Sequence, residues 1–170
     1  EIAIYTRAIA YHHKPDAKNA AREIALLLKN WPNDPYYNEL NGQFLLENGN
    51  AAGAVRAYRR AVQLAPIESQ ILAGLGRALN AVGDYKSALK TLKSAYAKDP
   101  RDSRMLRELA LAYAKNKQNG WASVVTAERY ALQGNFKLAS THATRAQTLL
   151  PSGSTGWLKA QDILVYARKF

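Results

Sequence analysis

The sequence predicts an all-α solenoid of antiparallel helix hairpins, with about ten helices in all. Three prolines, Pro32, Pro66 and Pro100, are evenly spaced, each at the end of a helix-favouring stretch. Their period of about 34 residues is typical of solenoids built from helix hairpins. Hydrophobic residues make up 48% of the chain, and many of them are alanine, the strongest helix former. The 10 Gly and 6 Pro recur at regular intervals, as helix stops do.

Within each period, the helices have a common internal pattern. Proline ends a helix because it lacks the backbone N–H and clashes with the preceding turn. Small residues recur in both helices of a hairpin, and we expect small residues facing small residues to let the two helices approach closely. Those of the first helix are Ala8, Gly42, Gly76 and Ala110, and those of the second are Ala20, Ala54 and Ala88.

A short turn is predicted between the two helices of each hairpin. The first three turns end at Asp16, Asn50 and Asp84, residue types whose side chains can cap the helix that follows. Gly49 and Gly83 precede two of them. Glycine tolerates the left-handed backbone conformation that such a turn needs.

This pattern resembles the tetratricopeptide repeat, and the best copy is residues 69–102. The first copy departs from the pattern at Arg7 and Pro15, and the second at Asn41. The resemblance implies a right-handed superhelix whose concave face, lined by the first helix of each hairpin, binds protein. The matching residues of the best copy are Leu72, Leu75, Gly76, Leu79, Gly83, Asp84, Tyr85, Ala88, Leu92, Ala95 and Pro100.

The register changes after Pro100. The next matching proline, Pro151, lies one and a half repeats further on, and the extra half repeat corresponds to one additional helix. We therefore expect a single solenoid domain over 1–170. Its predicted parts are repeats at about 1–34, 35–68 and 69–102, an extra helix at 103–119, a repeat at 120–153 and a capping helix at 154–170.

The repeat register also predicts which residues line the concave face. Its N-terminal end is apolar and aromatic, and its remainder is rich in Arg and Asn, which can hold an extended peptide by its carboxylates and backbone amides. The alternative is that these are ordinary solvated helix residues. The Lys/Asn set of chaperone-binding repeats is not reproduced. The candidates are Tyr5, Ile9, Tyr36, Gln43, Gln70, Arg77, Asn80, Arg104 and Arg107, and His12, Glu39 and Leu46 fall on the same predicted face.

No catalytic or metal-binding motif is visible, so we expect neither an enzyme activity nor a cofactor in this chain. The histidines are His12, His13 and His142, and there is no HExxH motif. Adjacent residues of a helix point about 100° apart, so His12 and His13 are poorly placed to bind one metal together. The absence of cysteine excludes disulfides and thiolate metal sites.

The charge is unevenly distributed. The net charge is +11; residues 1–68 carry 8 Lys/Arg and 7 Asp/Glu, whereas residues 69–170 carry 16 and 6. A basic half can attract an acidic partner, an anionic membrane or nucleic acid, or can simply be solvated. No nucleic-acid motif and no apolar run of about 20 residues is present, so we expect protein partners, without nucleic acid or membrane insertion.

Several stretches, which together cover nearly the whole chain, carry a closer resemblance. The most telling are YNELNGQFLLENG at 37–49 and GSTGWLKAQDI at 153–163. They are similar to the C-terminal repeat region of periplasmic BepA-like zinc metalloproteases of Gram-negative bacteria. The resemblance implies a periplasmic docking module that recruits substrates and outer-membrane assembly proteins for quality control. Zinc would belong to a separate HExxH protease domain packed against the repeats.

The start of the chain bears on this interpretation. It begins at Glu1 without a Met or signal peptide. Exposed apolar residues on its first helix are typical of a surface that another domain covers. We therefore expect a fragment preceded by another domain. Two alternatives remain open: a free-standing adaptor that scaffolds a cell-envelope or secretion complex, and a basic nucleic-acid-binding repeat protein, whose affinity would fall steeply with salt.

Overall fold

The computed structural model describes residues 1–14 and 16–169, which form ten α-helices and no strand. The predicted all-helical fold with about ten helices is confirmed. Pro15, predicted to lie in the first turn, is outside the described residues, as is Phe170. The helices are α1 (Ile2–His13), α2 (Ala17–Asn30), α3 (Pro35–Glu47), α4 (Ala51–Leu64), α5 (Ser69–Ala81), α6 (Tyr85–Lys98), α7 (Ser103–Lys115), α8 (Asn119–Leu132), α9 (Phe136–Leu149) and α10 (Thr155–Ala167).

The chain divides into two compact units. Unit 1 is Glu1–Val82 and contains α1 to α5, and unit 2 is Gly83–Phe170 and contains α6 to α10. In each unit, helices that follow one another in sequence pack side by side. This is the arrangement expected of helix hairpins that bury their apolar faces against their neighbours. The predicted division into individual repeats remains a prediction.

Side-chain caps fix where most helices begin. The carboxylate of Asp34 accepts hydrogen bonds from the backbone N–H groups of Tyr36 and Tyr37, at 2.8 and 2.9 Å. Such a cap satisfies donors that have no partner within the helix. The predicted cap positions do act in this way. Side-chain caps are made by Asp16, Asp34, Asn50, Asp84, Asp102, Asn135 and Ser154.

The turns explain the change of register. Gly49 and Gly83 have φ of 81°, the left-handed conformation expected from the sequence. Lys117 stands one full repeat after Gly83 and adopts the same region, with φ of 60°. Gly134, only half a repeat later, does so again with φ of 71°. Helix α8 packs against both α7 and α9. It therefore forms a hairpin with each of them, and this sharing of one helix accounts for the extra half repeat.

The core of unit 1 contains an unexpected large residue. The ring of Tyr58, on α4, lies between Gly42 of α3 and Gly74 of α5; a Cβ at Gly42 would come within 2.7 Å of it, and one at Gly74 would clash more severely. The expectation that Gly42 faces another small residue was therefore wrong. The glycine makes room for an aromatic ring, because close packing leaves no other space. The remaining core includes Ala8, Ala20, Ile24, Leu27, Tyr37, Leu40 and Phe44.

The core of unit 2 is built largely of alanine. Leu150 packs against the backbones of Gly120 and Gly156; a Cβ would lie 2.6 Å from it at Gly120 and 2.7 Å at Gly156. Small residues thus bring α8, α9 and α10 together, with Trp121 packed at the margin. The fully buried residues of this cluster are Val124, Ala127, Ala143, Ala146 and Ala160.

Replacing Lys117 with glycine should stabilise the protein. The left-handed conformation costs a non-glycine residue about 1–2 kcal/mol, and glycine gives back part of that through its greater freedom when unfolded. We expect a net gain of roughly 0.5–1 kcal/mol in the free energy of unfolding, measured by urea denaturation. The matched control is Ala114→Gly in α7, which should lose up to about 1 kcal/mol. A loss of stability in both variants would contradict the role assigned to Lys117.

Candidate functional site

A row of polar side chains crosses α1, α3 and α5, which are the first helices of successive hairpins in unit 1. Glu47 of α3 accepts a 2.7 Å contact from His12 Nε2 of α1 and lies 3.9 Å from Arg77 Nη1 of α5. Gln43 Nε2 donates a further hydrogen bond to Glu47 Oε1, at 3.1 Å. Three helices therefore converge on one carboxylate. The side chains of Glu47 and Arg77 remain 33% and 42% exposed, so a ligand can reach both.

A second carboxylate lies beside this row. Burial raises the pKa of Glu39, on α3, and a hydrogen bond from Gln70 of α5 partly offsets the rise. Beneath it, burial raises the pKa of the Tyr58 hydroxyl, and the charge of Glu39 raises it further. The packing of Tyr58 between two glycines thus brings a buried phenol close to the charged row.

The N-terminal end of unit 1 is aromatic. The rings of Tyr5 and Tyr37 are 6.0 Å apart, and Trp31 meets Tyr37 edge-on at 6.1 Å. The Tyr37 hydroxyl donates to Glu1 Oε1 at 2.7 Å; this bond, together with burial, raises the pKa of Tyr37 to about 12. Tyr36 is 56% exposed. Tyr5 and Tyr36 are thus both exposed, and that they line a binding face remains a prediction.

The nine predicted site residues divide between the two units. In unit 1, Tyr5, Tyr36 and Gln70 are exposed, whereas Asn80 is 6% exposed. A side chain buried to that degree has little surface left for a partner. Gln43, Arg77 and Ile9 are intermediate, and Gln43 and Arg77 contact Glu47 as described. That these residues bind a partner remains a prediction.

The other two predicted residues, Arg104 and Arg107, lie on α7 in unit 2 and are both exposed. The Arg107 guanidinium forms an ion pair with its neighbour in sequence, Glu108, at 3.0 Å. Exposed pairs of this kind contribute little to stability. Both arginines are therefore accessible to a partner.

Unit 2 contains a polar cluster that the sequence did not predict. Lys159 Nζ of α10 donates to the Tyr96 hydroxyl of α6 at 2.6 Å and to Glu128 Oε1 of α8 at 3.2 Å. Tyr96 in turn donates to Glu128 at 2.9 Å. Burial alone would lower the pKa of Lys159, but these two partners outweigh it and raise that pKa. The cluster ties three helices together across their polar sides.

The sequence contained only weak signals for these contacts. Glu47 stands one position beyond the predicted Leu46, and its importance comes from His12 and Arg77, which are distant in sequence. Lys159 and Tyr96 are separated by 63 residues. Pairing over such separations depends on how helices stack, which periodicity alone does not resolve.

Within residues 1–14 and 16–169, no three or more His, Cys, Asp or Glu side chains cluster as metal ligands would. In that same part, none of the helices combines the length and apolar character needed to cross a lipid bilayer.

The geometry defines a class: an all-helical protein of stacked hairpins with a polar face on its first helices. Family models described as tetratricopeptide repeat match residues 19–69 and 45–110. The chain thus contains tetratricopeptide repeats, and the predicted repeat type is confirmed. Repeats of this type form protein-binding surfaces, and the chain is accordingly a protein–protein interaction module.

Similar proteins agree on the fold. A solved fragment of MamA from Desulfovibrio magneticus RS-1, from residue 41 to the end, has a TM-score of 0.73 at 19% identity, covering 98% of this chain and 94% of that fragment. YrrB, described as a TPR protein with an unusual peptide-binding site, has a TM-score of 0.70 at 20% identity, covering 84% of this chain and 73% of YrrB. At these identities the likeness concerns the fold alone.

Curated relatives are much longer than this chain. Cellulose synthase operon protein C of Escherichia coli strain K12 is 28% identical over 120 residues, which is 68% of this chain and 9% of that protein. The CTR9 homolog of Arabidopsis thaliana is 28% identical over 106 residues, 59% of this chain and 10% of that protein. The chain therefore spans about a tenth of the length of these relatives.

Neutralising Glu39 should raise stability only where its carboxylate is charged. Burial raises the pKa of Glu39 in the folded protein, so folding is favoured when this carboxyl group is protonated. That contribution to stability is full below the pKa of the unfolded state and is lost as pH rises through the pKa of the folded state. We expect Glu39→Gln to raise the melting temperature by about 1–3 °C at pH 7 and to leave it unchanged near pH 3. An equal or lower melting temperature at pH 7 would show that Glu39 is stabilised as a carboxylate.

Proposed function

We propose that this chain binds an extended segment of another protein along the first helices of unit 1. The observation that carries the proposal is the row of His12, Glu47 and Arg77 across α1, α3 and α5. The exposed aromatic residues Tyr5 and Tyr36 lie on α1 and α3. A peptide backbone presents N–H donors and C=O acceptors that carboxylate and guanidinium groups can pair. Aromatic rings add contact area at low entropic cost.

The existing contacts of the row favour exchange with a ligand. The 3.9 Å separation of Arg77 from Glu47 is at the limit of an ion pair, and the partly exposed guanidinium keeps donors available. His12 holds the other side of Glu47 at 2.7 Å. A ligand carboxylate or carbonyl can therefore engage Arg77 while Glu47 stays in position.

Site-specific photo-crosslinking tests this surface. A photoreactive phenylalanine placed at Tyr36 or Gln70 should form adducts with the partner in the source cell, whereas the same group at the exposed residues Lys29 of α2 or Arg59 of α4 should not. Arg77→Glu should reduce the adduct yield about tenfold, equivalent to losing one charged contact. Adducts at Lys29 and Arg59 alone would place the binding surface on the second helices.

At a finer level, we propose that the module is the substrate-recruiting and docking region of a periplasmic zinc metalloprotease acting in outer-membrane protein quality control. Support comes from the resemblance of residues 37–49 and 153–163 to BepA-like proteases. Its partners would be its own protease domain and outer-membrane assembly proteins. Zinc would be held by that domain, outside this chain.

A second candidate is a free-standing adaptor that scaffolds a cell-envelope or secretion complex and has no protease domain. Its support is the similarity to cellulose synthase operon protein C, a protein whose name refers to no proteolysis. The two candidates use the same binding surface and differ in whether a protease domain belongs to the same polypeptide.

Mass spectrometry of the intact native polypeptide separates the two candidates. Peptides mapped upstream of Glu1 should include an HExxH segment if the chain is the docking region of a zinc protease. A native polypeptide without that segment would exclude the protease and leave the adaptor.

A further inference from the structure

A cleft on unit 2 lies apart from the surface proposed above. It has a volume of about 640 Å³ and runs along α6 to the start of α8. Leu89 and Ala97 supply apolar surface, and Asn116 and Gln118 close one end. This volume is within the range of roughly 300–1,000 Å³ typical of ligand sites.

Three lysines give the cleft its character: Lys86, Lys90 and Lys93. They stand four and three residues apart on α6, so they share one side of the helix. All three are exposed, and none has an ion-pair partner in the described residues. Like charges at this spacing disfavour the helix by a few tenths of a kcal/mol per pair. Stability therefore does not explain the arrangement.

The surroundings reinforce the positive charge. Helix α6 contains no Asp or Glu, and unit 2 carries 15 Lys/Arg against 6 Asp/Glu. Gln118, at the end of the cleft, begins α8 without a side-chain cap, which leaves the positive end of that helix available to an anion. The charged side chains that line the cleft are thus all positive, which favours a negatively charged occupant.

We propose that this cleft is a second binding site, which takes an acidic segment of a partner protein in extended conformation. Along α6 the lysines advance by about 6 Å and about 4.5 Å. Alternate side chains of an extended peptide are about 6.6–6.8 Å apart on one face. Acidic residues at every second position are close to the first lysine spacing and about 2 Å wider than the second, a difference that the flexible four-carbon lysine side chains can span. The side chains between them face away from the row.

The lining distinguishes an acidic peptide from other anions. Single-stranded nucleic acid binds on aromatic stacking platforms, and among the residues that the structure describes no aromatic side chain lines the cleft. An anionic membrane attracts basic residues that project from a surface, whereas these lysines border a concavity with apolar surface for a peptide side chain. An acidic peptide satisfies both the charge and the shape.

A short fluorescent peptide of alternating glutamate and alanine tests the site on the full 170-residue chain. Binding is measured by fluorescence anisotropy at low and high salt. The variant is Lys86→Gln with Lys90→Gln and Lys93→Gln. The matched control is Lys137→Gln with Arg145→Gln and Lys169→Gln, which removes the same charge from exposed positions outside the cleft. Circular dichroism confirms helicity in both.

We expect the cleft variant to weaken binding about tenfold or more, and the control to change it by no more than about twofold. A peptide with glutamine for glutamate should not bind, and one with its glutamates in a single block should bind more weakly. Equal losses in the two variants would overturn the proposal, since net charge would then explain binding. So would lysine-dependent binding of single-stranded RNA or phosphatidylserine vesicles without peptide binding. Arg77→Glu leaves this assay unaffected, so failure here is distinct from failure of the unit 1 surface.

Discussion

Close approach between successive helices is the constraint on which this structure depends. A hairpin cannot bury the apolar sides of its two helices by itself, so each helix must also be covered by the next one. Contact at that distance requires positions without bulky side chains. Gly42 and Gly74 provide such positions around Tyr58, and Gly120 and Gly156 provide them around Leu150. In each unit, one large side chain fills the space that two glycines leave.

The same packing prepares the binding surface of unit 1. With Tyr58 held between α3 and α5, the polar sides of those helices are close enough for Glu39 to accept from Gln70 and for Glu47 to approach Arg77. The phenol gains a raised pKa because it is buried beside those charges. The apolar core and the polar row are therefore consequences of a single helix separation.

Much of the fold followed from the sequence because its signals are local. A cap such as Asp34 acts on residues two and three positions away, and Gly49 sets a turn by its own conformation. Lys117 could not be predicted to adopt a left-handed conformation, since its side chain gives no reason for it. It stands one full repeat after Gly83 and takes the same conformation. The candidate sites show the same limit. The register placed Arg77 and Tyr36 on one face because that requires only helical periodicity. The importance of Glu47, on the other hand, comes from contacts between helices far apart in sequence.

The two proposed surfaces differ in how their charges are balanced, and that difference bears on what each can recognise. In unit 1 Glu47 already lies beside His12 and Arg77, so a ligand gains little from charge neutralisation and mainly from directed hydrogen bonds. On α6 the lysines have no acidic partner among the described residues, so a ligand gains from charge neutralisation. Salt weakens that gain, because the Debye length is about 10 Å at 0.1 M. Recognition at the first surface is therefore governed by geometry, and at the second by the spacing of charge. A partner carrying an acidic stretch beside a less charged one could use both kinds of recognition in one chain.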